Sequence, residues 1–173
     1  MDAAAADRLA LASVSGKSLR FWPLLLVVLV ADCASKRVIE ARLEPGAPPR
    51  PVAGDVVRVT RGYNQNAAFG IPLGSGRRWV LISLVTVALA ALAVIYRRAP
   101  ARSTVLVTGL ALVSGGALGN LLDRLRSTRG VLDWIDIGIG HARFWTFNVA
   151  DLAITIGALC LIFSMARSSE HSS

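Results

Sequence analysis

Apolar and polar stretches alternate along the chain, and four of the apolar runs reach or approach membrane length. Residues 21–35 read FWPLLLVVLVADCAS, with an acid near the end; residues 79–96 are 18 uncharged positions; residues 103–122 are 20; and residues 147–166 are 20, interrupted by Asn148 and Asp151. A helix rising about 1.5 Å per residue needs about 20 residues to cross the hydrocarbon core. The pattern therefore predicts four transmembrane helices, the first of them marginal by length alone. Outside the runs, residues 1–20 and 167–173 are polar tails rich in Ala and Ser, expected to be disordered at their tips. Residues 97–102, RRAPAR, are a tight basic turn. The two longer connections carry a different period. DVVRVT at 55–60 and VLDWIDIGIG at 131–140 alternate, which predicts short strands lying on the membrane surface. In the second, Val131, Asp133 and Ile135 share one face, and Leu132, Trp134 and Asp136 the other.

Four spans put both termini on one side and the two long connections on the other. That topology gathers the polar residues. Asp32 and Lys36 end the first run, Asn120, Asp123 and Arg124 end the third, Asn148 and Asp151 begin the fourth, and Asn64 and Asp133 lie in the connections. All fall at one membrane face, while the other face holds only tails and the arginine turn. Ionisable groups inside a span cost about 2.5–3.5 kcal/mol each on insertion scales, so a chain that collects them at one edge is expected to do chemistry there.

Composition narrows the class. The 173 residues suit one domain, 54% of them are hydrophobic, and mean hydropathy is +0.55, as in a small multi-span membrane protein. The net charge of +8 comes from 17 Arg and 2 Lys that flank the apolar runs. It points to anionic membrane lipids and not to nucleic acid, for which a basic helix with interleaved aromatics is missing. Charge counting for orientation is ambiguous: termini and short turn hold 7 Lys and Arg, the long connections 12. The density of Arg97, Arg98 and Arg102, with Arg8, Lys17 and Arg20 ahead of the first run, favours cytoplasmic termini. Val30, Ala31, Asp32 and Cys33 superficially suggest a lipoprotein leader, but Asp32 stands where a small residue is required.

Each polar group also has a bland reading. Asn148 and Asp151, three apart, can be a helix N-cap and a dipole-favoured acid. Asn120 and Arg124 share a helix face, and Asp123 can pair with either; together they can be an ordinary helix end. Asp32 and Lys36 form an i, i+4 acid–base pair that can be structural. Gly115, Gly116 and Gly119 make a small-residue face that is more often packing than catalysis. Trp22, Trp79, Trp134 and Trp145 fit interfacial anchoring. Cys33, Cys160, His141 and His171 are isolated, so neither metal site, disulfide nor cofactor is expected. Asp133 matters if it opposes Asp151. Two close carboxylates share a proton, one acting as base on a water and the other as acid toward a peptide group.

Five ordered segments resemble one family. DCASK at 32–36, NQNAAF at 64–69, GGALGNLLDR at 115–124, VLDW at 131–134 and FNVAD at 147–151 resemble the motifs of lipoprotein signal peptidase (signal peptidase II), a four-span intramembrane aspartic peptidase. The resemblance implies an all-α membrane protein: a four-transmembrane-helix bundle with a small extracytoplasmic β-cradle and a surface helix over the site. It implies Asp133 and Asp151 as catalytic, Asn64, Asn120, Arg124 and Asn148 as substrate-binding or holding the pair, and Asp32, Lys36 and Asp123 as supporting. It implies cleavage of diacylglyceryl-modified prolipoproteins before the lipidated cysteine, at the outer face of the cell membrane. Asn66 stands where the family has glycine, and Trp134 where it has Phe. A proton-coupled transporter or a non-enzymatic assembly factor are the alternatives. The transporter would place its charges nearer the midplane and show internal repeats.

Overall fold

The computed structural model describes residues 3–65 and 76–170, with side chains from 16 to 167 within those ranges. The elements are α1 (Ala3–Arg42), β1 (Arg50–Ala53), β2 (Val57–Asn64), α2 (Arg77–Arg98), α3 (Thr104–Arg126), β3 (Val131–Ile139), β4 (Ala142–Arg143) and α4 (Val149–Glu170). Four stretches are long and apolar enough to cross a membrane: Gly16–Arg42, Arg77–Arg98, Thr104–Arg126 and Val149–Arg167. The segment expected to form a surface helix, together with Asn66, lies outside the described residues.

α3 is the centre of the bundle, packing on α1, α2 and α4. Its small residues allow the approach. A Cβ on Gly116 would stand 2.4 Å from the Ala150 carbonyl oxygen of α4, and one on Gly119 would stand 2.5 Å from Oδ2 of Asp32 on α1. The outer helix faces carry exposed Val27, Val87 and Leu159, as lipid-facing surfaces do. At one end of the bundle Phe21, Leu25, Ala99, Val107, Leu110 and Ala111 form an apolar core.

At the other end sits an antiparallel sheet in the order β1-β2-β3-β4. Helix and sheet are joined by α1, which does not stop with its apolar run at Ser35. It continues to Arg42, so that Ile39 and Leu43 pack on Leu132 of β3, with Val59, Tyr63 and Trp134 alongside. Trp134 packs against this small core, whereas Trp22, Trp79 and Trp145 are exposed. The polar stretch 3–20 is helical as well, and α4 runs on to Glu170. Both extensions add helix-favouring residues to a helix already nucleated by the span, which costs far less than starting one.

Candidate active site

The sheet delivers two of the polar side chains. Asp133 on β3 is paired with Gly62 on β2, and Asn64 with Val131. Residues two apart on a strand share a face, so Asn64 and Asp133 are diagonal neighbours with no side chain at Gly62 to separate them. The Asn64 Nδ2 donates to Asp133 Oδ2 at 3.1 Å. β3 is fastened to the start of α4 through Phe147, whose carbonyl accepts from the Trp134 and Ile135 amides and whose own amide donates to Ile135. This places the residue after Phe147, Asn148, against Asp133.

Asn148 is the N-cap of α4, and the cap is reciprocal. Its Oδ1 accepts the Asp151 amide at 2.9 Å, and Asp151 Oδ2 accepts the Asn148 amide at 3.1 Å. That is a capping box with an acid in the third helical position. The bland reading of this pair is thus correct, and it is incomplete. The remaining atoms of the same side chains face inward: Asn148 Nδ2 donates to Asp133 Oδ1 at 2.8 Å, and Asp151 Oδ1 accepts from Asn120 Nδ2 at 2.8 Å. Asn148 also donates to Asn120 Oδ1 at 3.2 Å. One asparagine therefore touches both carboxylate-bearing residues, and it is fully buried.

Asp133 is 4% exposed. Burial pushes its carboxyl up to about 6, with the Asp151 charge acting in the same direction; the Asn64 and Asn148 hydrogen bonds and Lys36 pull it down. The Arg124 Nη1 donates to the Asn120 carbonyl at 3.2 Å, and the guanidinium lies where Asp151, Asp133 and Asp123 all act on it. Lys36 is buried among Asp32 Oδ2 at 2.7 Å, Asp123 Oδ2 at 2.8 Å and Asn120 Oδ1 at 3.2 Å. Asp123 thus takes Lys36, not Arg124, as its ion partner, and it also accepts the Leu132 amide at 3.3 Å. Asp136 stands apart from this network: it is buried against Arg143, whose Nε donates to it at 2.6 Å. Among the described residues, no three His, Cys, Asp or Glu side chains converge to hold a metal.

The nine residues singled out in the sequence therefore meet at one end of the bundle. Sequence reasoning missed Arg78. Its Nε donates to the Arg124 carbonyl at 2.7 Å and its Nη2 to the Leu125 carbonyl at 3.1 Å, covering the open carbonyls at the end of α3. The signal was available: two arginines opening a helix oppose its dipole and so need partners elsewhere.

The signal peptidase (SPase) II family pattern matches residues 24–167. The lipoprotein signal peptidase of Hydrogenovibrio crunogenus is 36% identical over 143 residues, covering 82% of this chain and 81% of that protein. That of Coxiella burnetii strain RSA 331 is 35% identical over 158 residues, covering 88% and 94%. That of Pseudomonas fluorescens strain Pf0-1 is 39% identical over 151 residues, covering 85% and 87%. Among solved structures, a bacterial membrane enzyme determined by the in meso method at 2.3 Å resolution superposes with a TM-score of 0.76 at 27% identity, covering 87% of this chain and 89% of that one. The transporter and assembly-factor alternatives fall with these matches: a multi-pass membrane protein with this bundle and this sequence pattern belongs to the signal peptidase II family of proteases.

Proposed function

We propose that the chain is an aspartic endopeptidase that removes signal peptides from diacylglyceryl-modified prolipoproteins, with Asp133 and Asp151 as its catalytic pair. The observation that carries this reading is the sharing of Asn148 between the two carboxylate residues, combined with the upward shift of Asp133 to about 6. Asp133 takes the shared proton and donates it toward the scissile carbonyl while Asp151 draws a proton from the attacking water. As the resulting gem-diol collapses, Asp151 passes that proton to the leaving amine, the C–N bond breaks, and a hydroxyl proton of the gem-diol returns to Asp133. Asn64, Asn120 and Asn148 hold the carboxylates in place, and Arg124 offers positive charge beside them. Asp151 sits in the first turn of α4, about 5 Å along the helix from its start. That depth suits a bond at the outer end of a signal helix, where the acyl chains of the substrate share the bilayer with the enzyme. The dense arginines of the 97–102 turn support a cytoplasmic position for that end and an outer position for the sheet end, in the cell membrane.

The test is cleavage by the purified full-length protein in lipid. A diacylglyceryl-modified prolipoprotein should be cut just before its modified cysteine, and the unmodified precursor should not. Each buried methylene is worth about 0.8 kcal/mol, so the acyl chains supply most of the positioning. Equal cutting of both precursors, or loss of activity with a chelator and recovery with zinc, would overturn this assignment.

A further inference from the structure

The Lys36 ammonium has three N–H bonds and three acceptors: Asp32, Asp123 and Asn120. At 4% exposure it has almost no access to water, so those acceptors must stay in place for the charge to remain buried. The two carboxylates do more than neutralise it. Asp32 Oδ1 accepts the Ala150 amide at 3.0 Å, and Asp123 Oδ2 accepts the Leu132 amide at 3.3 Å. Ala150 immediately precedes Asp151, and Leu132 immediately precedes Asp133. Each member of the pair is thus preceded by an amide held by a carboxylate, and one ammonium bridges the two carboxylates. The third contact has its own consequence: an ammonium only donates, so Asn120 turns its oxygen to Lys36, as it also does to Asn148 Nδ2 at 3.2 Å, which leaves its Nδ2 for Asp151 Oδ1 at 2.8 Å.

Resting on the reading above, we propose that Lys36 is a positioning residue: through Asp32 and Asp123 it sets the spacing between the segments that carry Asp151 and Asp133, and through Asn120 it fixes the donor facing Asp151. It touches neither carboxylate of the pair. Its part differs from general support because it acts at two named amides, each one residue before a member of the pair and so restricting the backbone that leads into it.

The experiment compares wild type, Lys36→Met and the charge-neutral combination of Lys36→Met with Asp32→Asn, all full length and in lipid. The combination removes the ammonium together with the charge of Asp32, while the Asn oxygen can still accept the Ala150 amide. It keeps the test alive if Lys36→Met alone does not fold. Two quantities are read: steady-state cleavage of the diacylglyceryl-modified precursor, and amide hydrogen exchange in peptides covering Leu132 and Ala150. Expected is a fall in kcat of about 100-fold with KM within about twofold, the pattern of lost alignment and not lost binding. Exchange should quicken at those two amides and stay unchanged in the apolar core around Val107. A folded variant with wild-type kcat overturns the proposal. So does a loss of kcat with unchanged exchange at both amides, because Lys36 would then act by its charge alone. If the wild-type protein cuts no precursor, the protease reading fails, while the exchange result still decides whether Lys36 holds the two segments.

Discussion

The chain has two lysines, one at each end of the bundle, and they are put to opposite uses. Lys17, at the apolar end, donates to the carbonyls of Tyr96 at 2.9 Å, Ala99 at 3.0 Å and Arg97 at 3.4 Å, closing the C-terminus of α2. Its partners are neutral dipoles, and it lies over the Tyr96 ring at an edge of the fold. Lys36, at the sheet end, is buried between two carboxylates and an amide. The first contact is a helix cap that saturates open carbonyls. The second concentrates charge where charge is costly. One end of the bundle is thus held by apolar packing with a polar lid, and the other by a polar interior beside a small apolar core on the sheet. Substitutions should therefore act on stability at the first end and on turnover at the second.

The most severe test of that contrast is the carboxylate pair. Asp133→Asn and Asp151→Asn should each reduce cleavage by about 100- to 10,000-fold, the range for losing a positioned acid or base, with thermal melts showing both variants folded. A folded Asp133→Asn enzyme with substantial activity, beside a folded and inactive Asp123→Asn, would move the second catalytic role to Asp123. Next comes Asn148→Ala, expected to cost about 100- to 1,000-fold in kcat through loss of a preorganised donor. It also removes the α4 cap, so the melting temperature should drop with it. Near-normal turnover would mean that Asn148 is a cap and nothing more.

Two glycines compare the ends directly. A Cβ at Gly119 would meet Asp32 Oδ2, whereas a Cβ at Gly16 meets nothing within 4 Å. Gly119→Ala should destabilise by about 1–3 kcal/mol and depress cleavage, while Gly16→Ala should stabilise by about 1 kcal/mol with cleavage unchanged. Matched thermal melts and assays of the two variants check this, and equal effects would erase the distinction.

The pH dependence follows from Asp133. Its carboxyl is held at about 6 in the folded protein against 3.8 for the ordinary group. Between those values the folded state binds more protons than the unfolded one. Its contribution to stability is complete below 3.8 and lost as pH rises through about 6, to a total of about 3 kcal/mol. Asp133→Asn removes this titration, so its melting temperature relative to wild type should be higher at pH 8 than at pH 4. An equal difference at both pH values would mean that Asp133 ionises without penalty. The smallest effect is expected at the opposite end: Lys17→Met should lower stability by about 1 kcal/mol in a melt and leave kcat as it was.

The four spans were legible because lipid demands long apolar runs, and the strand β3 because alternation at 131–139 fits no helix. The gathering of Asp32, Asn64, Asn120, Asn148 and their neighbours at one face followed from antiparallel topology alone. What could not be read depended on partners distant in sequence. α1 outruns its apolar segment because Ile39 and Leu43 find a second, small core on the sheet. Asp123 stands beside Arg124 in the chain, yet it pairs with Lys36, 87 positions earlier. Asp136 falls on the strand face opposite Asp133, as its alternation implies, but its burial depends on Arg143 returning on the next strand. The glycine face looked like packing alone, and at Gly119 it also makes room for a carboxylate. In each case the local pattern named the residue, and the fold chose its partner.

The capping box at the start of α4 joins the closing of a helix turn to the placing of Asp151. The hydrogen bonds that close the first turn of this helix are made by Asn148 and Asp151, the residues assigned to the chemistry. A chain whose fourth span has not finished winding has no aligned Asp151, and Asp133 lacks the Asn148 donor that faces it. If Asp133 and Asp151 form the pair as proposed, winding of the last helix is the step that would complete the site.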